Sequence, residues 1–331
     1  MKKTLWFCFS FILGWQIQAI GQNRGDIERI LKAGTADLNT YMKGYIEPAA
    51  KGFAYSMGAG WMQTAETHST FGFHIKASVS AAKVPSYHNT FTFNPADYNN
   101  IRVKGTTDNR ALPTLFGPSE SDATLQIYDR DLLIADVTVP PGTGLQFNYI
   151  PVPSFQAGFG LPAGTEVLLK VIPKSAIEDV KISQLGFGLK HNIKQHIPVI
   201  KQLPFSFSGL VAYNSLNVSY YFDQGAGQYG ELQVSGWTFQ ALASKKLAFL
   251  TVYGTLGYNS GKSDFELMGT YKLEGPQETE PISIPVSLSY EASGPLASLG
   301  ARLKLGPIFI NGDYTFQEFN TITVGLGLSI K

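Results

Sequence analysis

The chain has 331 residues, of which only 15% are charged and 13% aromatic, against roughly 25% charged in an ordinary soluble domain. A formal net charge of +1 gives no basic face for nucleic acid, and no apolar run beyond the N-terminus is long enough for a spanning helix. Low charge with 34 glycines and 22 phenylalanines suits exported β-structure or a membrane β-barrel and argues against disorder and coiled coil.

Residues 1–21 read as a signal peptide. Lys2 and Lys3 precede the apolar stretch Leu5 to Leu13, and Ala19 and Gly21 occupy the −3 and −1 positions of a cut before Gln22. Cys8, the one cysteine, falls inside that stretch, so the exported chain has no disulfide to hold it. Asp26 to Ile46 predicts helix, with Ile27, Ile30, Leu31, Leu38, Tyr41, Met42 and Tyr45 at three-and-four spacing and Pro48 as the stop. Ala49 to Trp61 is rich in small residues without a period and predicts irregular backbone. Residues 22–62 therefore form a helical N-terminal segment, and residues 63–331 carry the β-structure.

From Phe71 the period becomes two. Phe73, Ile75, Ala77 and Val79 face one way, and His74, Lys76, Ser78 and Ser80 the other. Residues from about Val84 to Pro153 are broken by prolines and read as long loops with short strands at Leu125 to Tyr128 and Leu132 to Val139. Strong alternation follows at Phe205 to Tyr213, Leu216 to Phe222, Ala248 to Tyr258, Ile282 to Tyr290, Ala297 to Leu305, Ile308 to Phe316 and Ile322 to Ile330, each expected to be one strand. Segments of about ten residues match the ~9–11 that a tilted membrane strand needs. Their polar faces hold Ser, Thr, Gly and Asn, as a hydrated lumen would, where a soluble surface would carry more Lys and Glu. Aromatics at Tyr213, Phe222, Tyr258, Tyr271, Tyr290 and Phe316 suit interfacial girdles. In hydrocarbon no open strand edge is tolerated, so the fold expected is an all-β, closed antiparallel transmembrane barrel behind a small helical segment. The strand count expected is about fourteen, within twelve to sixteen. So wide a lumen cannot be filled by its own wall, and the N-terminal segment is expected as a plug or a cap. In the plug form Phe53, Tyr55, Met57 and Trp61 would pack on the inner wall.

A short helical stretch behind a signal peptide, then a Gly-rich segment and a barrel, resembles the long-chain fatty-acid transporter class of outer-membrane proteins. Phrases such as Gly72 to Pro85, Gly158 to Pro173 and Gly186 to Pro198 resemble more closely an uncharacterised outer-membrane barrel family of Gram-negative bacteria. The resemblance implies an outer-membrane location, lipid and the barrel-assembly machinery as partners, and a small hydrophobic ligand. Barrels of this kind commonly end in an aromatic residue, whereas this sequence ends Ser329-Ile330-Lys331.

Few motifs carry chemistry. Gly225 to Gly230 fits GxGxxG, but a dinucleotide loop must open a helix and here a strand follows. Ser80-Ala81-Ala82-Lys83 fits SxxK at a strand end, without a KTG partner. Of the five histidines, His191 and His196 are five apart and share no helical face, while Glu66, His68 and His74 share strand parity. These read as scattered lumen or loop histidines, with no metal, cofactor or catalytic group assigned. Lys76, Arg302, Lys304 and Asp313 interrupt polar faces and, with His74, should line the lumen, since a charge facing lipid costs ~2–4 kcal/mol at the midplane. There they either line a path for an anionic headgroup or anchor a plug. Three functions follow in order: passive admission of a small hydrophobic molecule, a structural or interaction barrel, and an outer-membrane hydrolase.

Overall fold

A computed structural model of the chain describes residues 33–129, 131–144, 148–177, 179–223, 225, 227–271, 282–283 and 286–330. The signal peptide and the helix start expected at Asp26 lie outside these residues.

Helix α1 (Thr35–Gly58) runs through Pro48 and covers most of the stretch expected to be irregular. Proline removes one N–H and crowds the carbonyl four residues back, but burial outweighs that loss, since Tyr41, Ala50, Ala54, Tyr55 and Met57 are all buried. The small residues that hid the period let the helix approach its neighbours: a Cβ on Gly52 would run into Ile150, and one on Gly44 would lie 2.5 Å from the Phe91 ring.

Strand β1 (Phe73–Lys83) precedes five short strands, β2 (Thr90–Phe93), β3 (Ile101–Val103), β4 (Arg110–Pro113), β5 (Thr124–Asp129) and β6 (Leu132–Thr138). These build two small sheets outside the barrel, β2–β4 and β3–β5–β6. Then come β7 (Tyr149–Leu161), β8 (Thr165–Ile177), β9 (Val180–Asn192), β10 (Ser206–Asp223), β11 (Gln228–Leu247) and β12 (Leu250–Met268). The short β13 (Thr270–Tyr271) and β14 (Ile282–Ser283) pair with each other, and β15 (Val286–Leu305), β16 (Ile308–Phe316) and β17 (Thr321–Ile330) complete the chain. Ten strands, β1, β7 to β12 and β15 to β17, form one closed antiparallel barrel, with β1 bonded to both β17 and β7.

The count is ten where about fourteen was expected. Segments expected as separate strands are halves of single ones: Phe207 to Tyr213 and Leu216 to Phe222 both lie in β10, and Val286 to Tyr290 and Ala297 to Leu305 both lie in β15. The reason is a change of surroundings along the strand. On β15 the outward residues Ala297, Leu299, Ala301 and Leu303 are apolar, whereas Ser287, Ser289, Glu291 and Ser293 on the same face are polar. Inside, the pattern inverts, from Ser298 and Arg302 to Val286, Leu288, Tyr290 and Ala292. β12 repeats it, with Val252, Leu256 and Tyr258 outside in one half and Lys262, Asp264 and Glu266 in the other. The barrel thus has one zone with an apolar outer belt and polar interior, and a second with a polar exterior and an apolar interior. Leu250 to Tyr258, at ~3.3 Å per residue and ~40° of tilt, rises about 20 Å, most of the ~25 Å apolar band of an outer-membrane barrel.

In the second zone Leu216, Leu232, Phe265 and Leu288 share one core with Leu38, Tyr41 and Met42 of α1 and with Phe93, Leu112, Ile127 and Val137 of the small sheets. Tyr290, expected in an outer girdle, points inward and donates to the Met42 carbonyl at 3.3 Å. Connections differ between the barrel ends. The end where β17 finishes has tight links such as Gly306-Pro307 together with the longer connection 193–205, and the opposite end carries the small sheets.

Candidate functional site: the barrel interior

Helix α1 enters from the end bearing the small sheets. Asp37, in its first turn, accepts the backbone N–H groups of Asn99, Asn100 and Ile101 at 2.9, 2.6 and 3.0 Å. Tyr45 Oη donates to the Pro141 carbonyl at 3.0 Å. Further down, Ser263 on β12 donates to the Ala50 carbonyl at 2.9 Å, and Ser56 Oγ donates to Ile150 O while accepting from Ala82 N–H. Near the turn between β16 and β17, Tyr55 Oη and Lys51 Nζ donate to Glu318 at 2.7 and 3.1 Å, and Tyr55 stacks on Phe319. Burial pushes the Glu318 carboxyl up, but the bonds from Tyr55 and Lys51 and the Lys51 charge prevail and hold it below its ordinary value.

Below the helix, residues 59–68 continue along the interior of the first zone. The helix C-terminus leaves carbonyls without intrahelical donors, and Lys170, buried on β8, donates to Met57 O at 3.1 Å and Ala59 O at 2.6 Å. Its ammonium also lies 5.1 Å from the Trp61 ring centroid. Lys76 on β1 donates to Gly60 O at 2.7 Å, Gln156 on β7 to Trp61 O at 3.1 Å, and Lys190 on β9 to Glu66 O at 2.9 Å. Ala65 is held at both backbone groups, its N–H on Ser244 Oγ at 2.9 Å and its carbonyl by Ser208 Oγ. Trp61 packs with Leu168, Leu210, Ala212 and Leu242. A cavity of about 10 Å³ remains beside Gly58 to Met62, bounded by Tyr253, Asn259 and Asp313.

The residues singled out in the sequence all lie on this interior or its edge. His74, Lys76 and Arg302 are buried. Arg302 stacks its guanidinium 4.2 Å from the Phe309 centroid, and Lys304 donates to Ser329 O at 3.1 Å. Asp313 accepts from Tyr253 Oη at 3.0 Å. Tyr55, Met57 and Trp61 are buried, and Phe53 is half-buried against the core. Glu166, Lys170 and Lys190, which make the firmest contacts, were not singled out. Their signal was of the same kind, a charge in an otherwise apolar run such as Val167-Leu168-Leu169-Lys170-Val171.

Histidines meet in two places. His191 and His196, which share no helical face, still approach with Nε2 atoms 2.8 Å apart beyond the end of β9. His68, on the segment, sets Nε2 3.0 Å from His74 Nδ1 on β1, and Glu166 Oε1 lies 3.3 Å from that same nitrogen.

A family model described as "Family of unknown function (DUF6588)" matches residues 1–330. The chain belongs to that family. It is also similar to three outer-membrane structures. The translocator domain of the autotransporter NalP from Neisseria meningitidis is 10% identical, with 90% of this chain and 99% of that one covered, at a TM-score of 0.33. The transport unit of the autotransporter AIDA-I from Escherichia coli is 10% identical over 88% and 98%, at 0.29. The Pseudomonas putida toluene transporter TodX is 9% identical over 78% and 68%, at 0.24. No curated protein matches the sequence. Likenesses this slight neither assign the chain to the fatty-acid transporter class nor bear on what the interior does.

Proposed function

We propose that the protein is an outer-membrane β-barrel closed at rest by its own N-terminal segment, which displays the small sheets built on residues 84–148 at the cell surface as an interaction platform. The apolar belt supports membrane insertion, with lipid and the assembly machinery as its partners. Outer-membrane barrels keep short turns on the periplasmic side and longer connections outside, and the 84–148 connection, the longest described, supports an outward position for the small sheets. The plug form is favoured over the cap form by one observation above the rest: buried lysines from three strands, Lys76, Lys170 and Lys190, donate to carbonyls of residues 57–66.

Passive admission of a small hydrophobic molecule requires this segment to leave, because the space beside it is about 10 Å³ and is edged by Asn259, Thr255 and Asp313. A packed and polar interior therefore favours the interaction role over transport. Deleting residues 22–61 behind an intact signal peptide tests the plug. The expected product is a heat-modifiable barrel that passes small solutes in proteoliposome swelling, which the full chain does not. A folded deletion product as tight as the full chain would refute closure by this segment.

A further inference from the structure

We propose that His68, His74 and Glu166 form a binding site for one transition-metal dication of the zinc class. Three potential ligand atoms, one from each residue, all lie within 4.8 Å of one another. His68 Nε2 and His74 Nδ1 are 3.0 Å apart, and Glu166 Oε1 is 3.3 Å from His74 Nδ1. Ligands ~2.1 Å from a zinc ion at near-tetrahedral angles are separated by about 3.4 Å, so these two separations need only a few tenths of an ångström of opening, and the third is within 4.8 Å. Two imidazoles and one carboxylate are a donor set that such an ion takes, with a further position left for water or another group.

Two independent features point to a ligand. Glu166 is fully buried, and its Oε1 meets His74 Nδ1 at 3.3 Å without good hydrogen-bond geometry. Its other oxygen is fixed by Lys190 Nζ at 2.8 Å and the His68 N–H at 3.2 Å, so Oε1 is aimed rather than wandering. A buried carboxylate oxygen whose one contact is this long costs free energy that a bound cation would offset. The second feature is Gly158, opposite His74 on the neighbouring strand β7. A Cβ there would overlap His74 Cε1 and lie 2.6 Å from His74 Nδ1 and 2.7 Å from Glu166 Oε1, so only glycine lets the ring and the carboxylate meet against this strand. Lys190 offsets part of the carboxylate charge, which disfavours calcium or magnesium, ions that rely on several oxygen donors.

The site joins the segment to the wall. His68 lies on the chain leaving the interior, whereas His74 and Glu166 lie on barrel strands, so a bound ion would staple the two together. Metal binding is read directly, and its outcome is separate from whether the segment closes the barrel.

The test is equilibrium dialysis of the detergent-solubilised mature protein against Zn²⁺, with metal content by mass spectrometry. His191 and His196 are replaced by Ala in the background, because that exposed pair could also take zinc. One equivalent is expected, falling at least tenfold in affinity in His68→Ala and Glu166→Gln, and likewise in Gly158→Ala, which displaces the His74 ring and the Glu166 carboxylate without removing a ligand. Heat-modifiable migration shows which variants are folded. Should the strand variants not fold, Co²⁺ bound to the background protein must give the intense visible bands of a four- or five-coordinate ion. No bound zinc in the folded background protein, zinc retained by folded His68→Ala, or a weak octahedral cobalt spectrum would each overturn the proposal.

Discussion

Replacing Lys170 by Met removes the cation that holds the end of α1 while keeping much of the side-chain volume. Two hydrogen bonds from a charged donor contribute about 1.5–3 kcal/mol each, and a cation at a helix C-terminus adds ~0.3–1 kcal/mol. The Trp61 ring contributes ~1 kcal/mol more. Against this stands the desolvation of a buried ammonium, several kcal/mol even after relaxation, which is recovered when the lumen opens to water. The balance favours the closed arrangement by about 1–3 kcal/mol, or roughly 5- to 150-fold in its population over the open one. Met57 O and Ala59 O lose their donor in the variant, so the segment is released rather than repacked. Planar-bilayer recordings of the folded variant should show open events more frequent by that factor. A folded Lys170→Met protein as quiet as wild type would mean that the lysine does not hold the segment, or that the segment does not close the lumen.

Leu256→Arg should impair assembly by ~2–4 kcal/mol, whereas Ser260→Arg, four residues along the same outward face of β12, should be nearly neutral; urea titration in lipid vesicles separates them. Asp37→Ala leaves three backbone amides without their acceptor and should loosen the link between α1 and residues 99–101 by about 3 kcal/mol, seen as faster proteolysis in the small sheets while the barrel migrates as folded. Because Glu318 is held below its ordinary value, its contribution is present above that ordinary value and lost as pH falls through the lowered one. Amide exchange over residues 51–56 should therefore quicken on acidification below about pH 4.5, and Glu318→Gln should abolish the dependence.

The faces of the strands were legible in the sequence and their number was not, for one physical reason. Alternation identifies which side chains share a side, and in β16 and β17 it places Ile310, Val324 and Leu326 outside and Asn311 and Thr323 inside. It does not say whether the apolar side meets lipid or a core. Along β10 apolar residues occupy odd positions to Tyr213 and even positions from Leu216, and such a switch of parity is what a break between two strands looks like. The backbone in fact continues without interruption while the medium on each side changes. For the interior, a charge within an apolar strand was enough to mark Lys76 and Arg302 and could have marked Lys170 and Glu166. The pairing of Glu166 with His68 spans 98 positions, and nothing local encodes it.

The switch of parity also divides the N-terminal segment into two parts with different work. In the outer zone Leu216, Leu232, Phe265 and Leu288 point into the barrel, and an empty barrel would expose them to water. Helix α1 covers them, so in the full chain its first turns belong to the core, and moving them would expose these side chains to water. Residues 57–68 meet a wall that holds them mainly through lysine ammonium groups and serine hydroxyls that water could satisfy as well, with Trp61 and Met62 in a small apolar cluster beside them. Their attachment is electrostatic and directional where the helix's is hydrophobic. The junction falls at Gly58 to Gly60, where Gly60 has a φ of +72° and a Cβ would meet Ser80 Oγ at 2.7 Å. Glycine there permits both the turn away from the helix and the close approach to β1. Any opening of this barrel must therefore move the part below Gly58 and leave α1 in place, so that the small sheets stay anchored whether the lumen is closed or not.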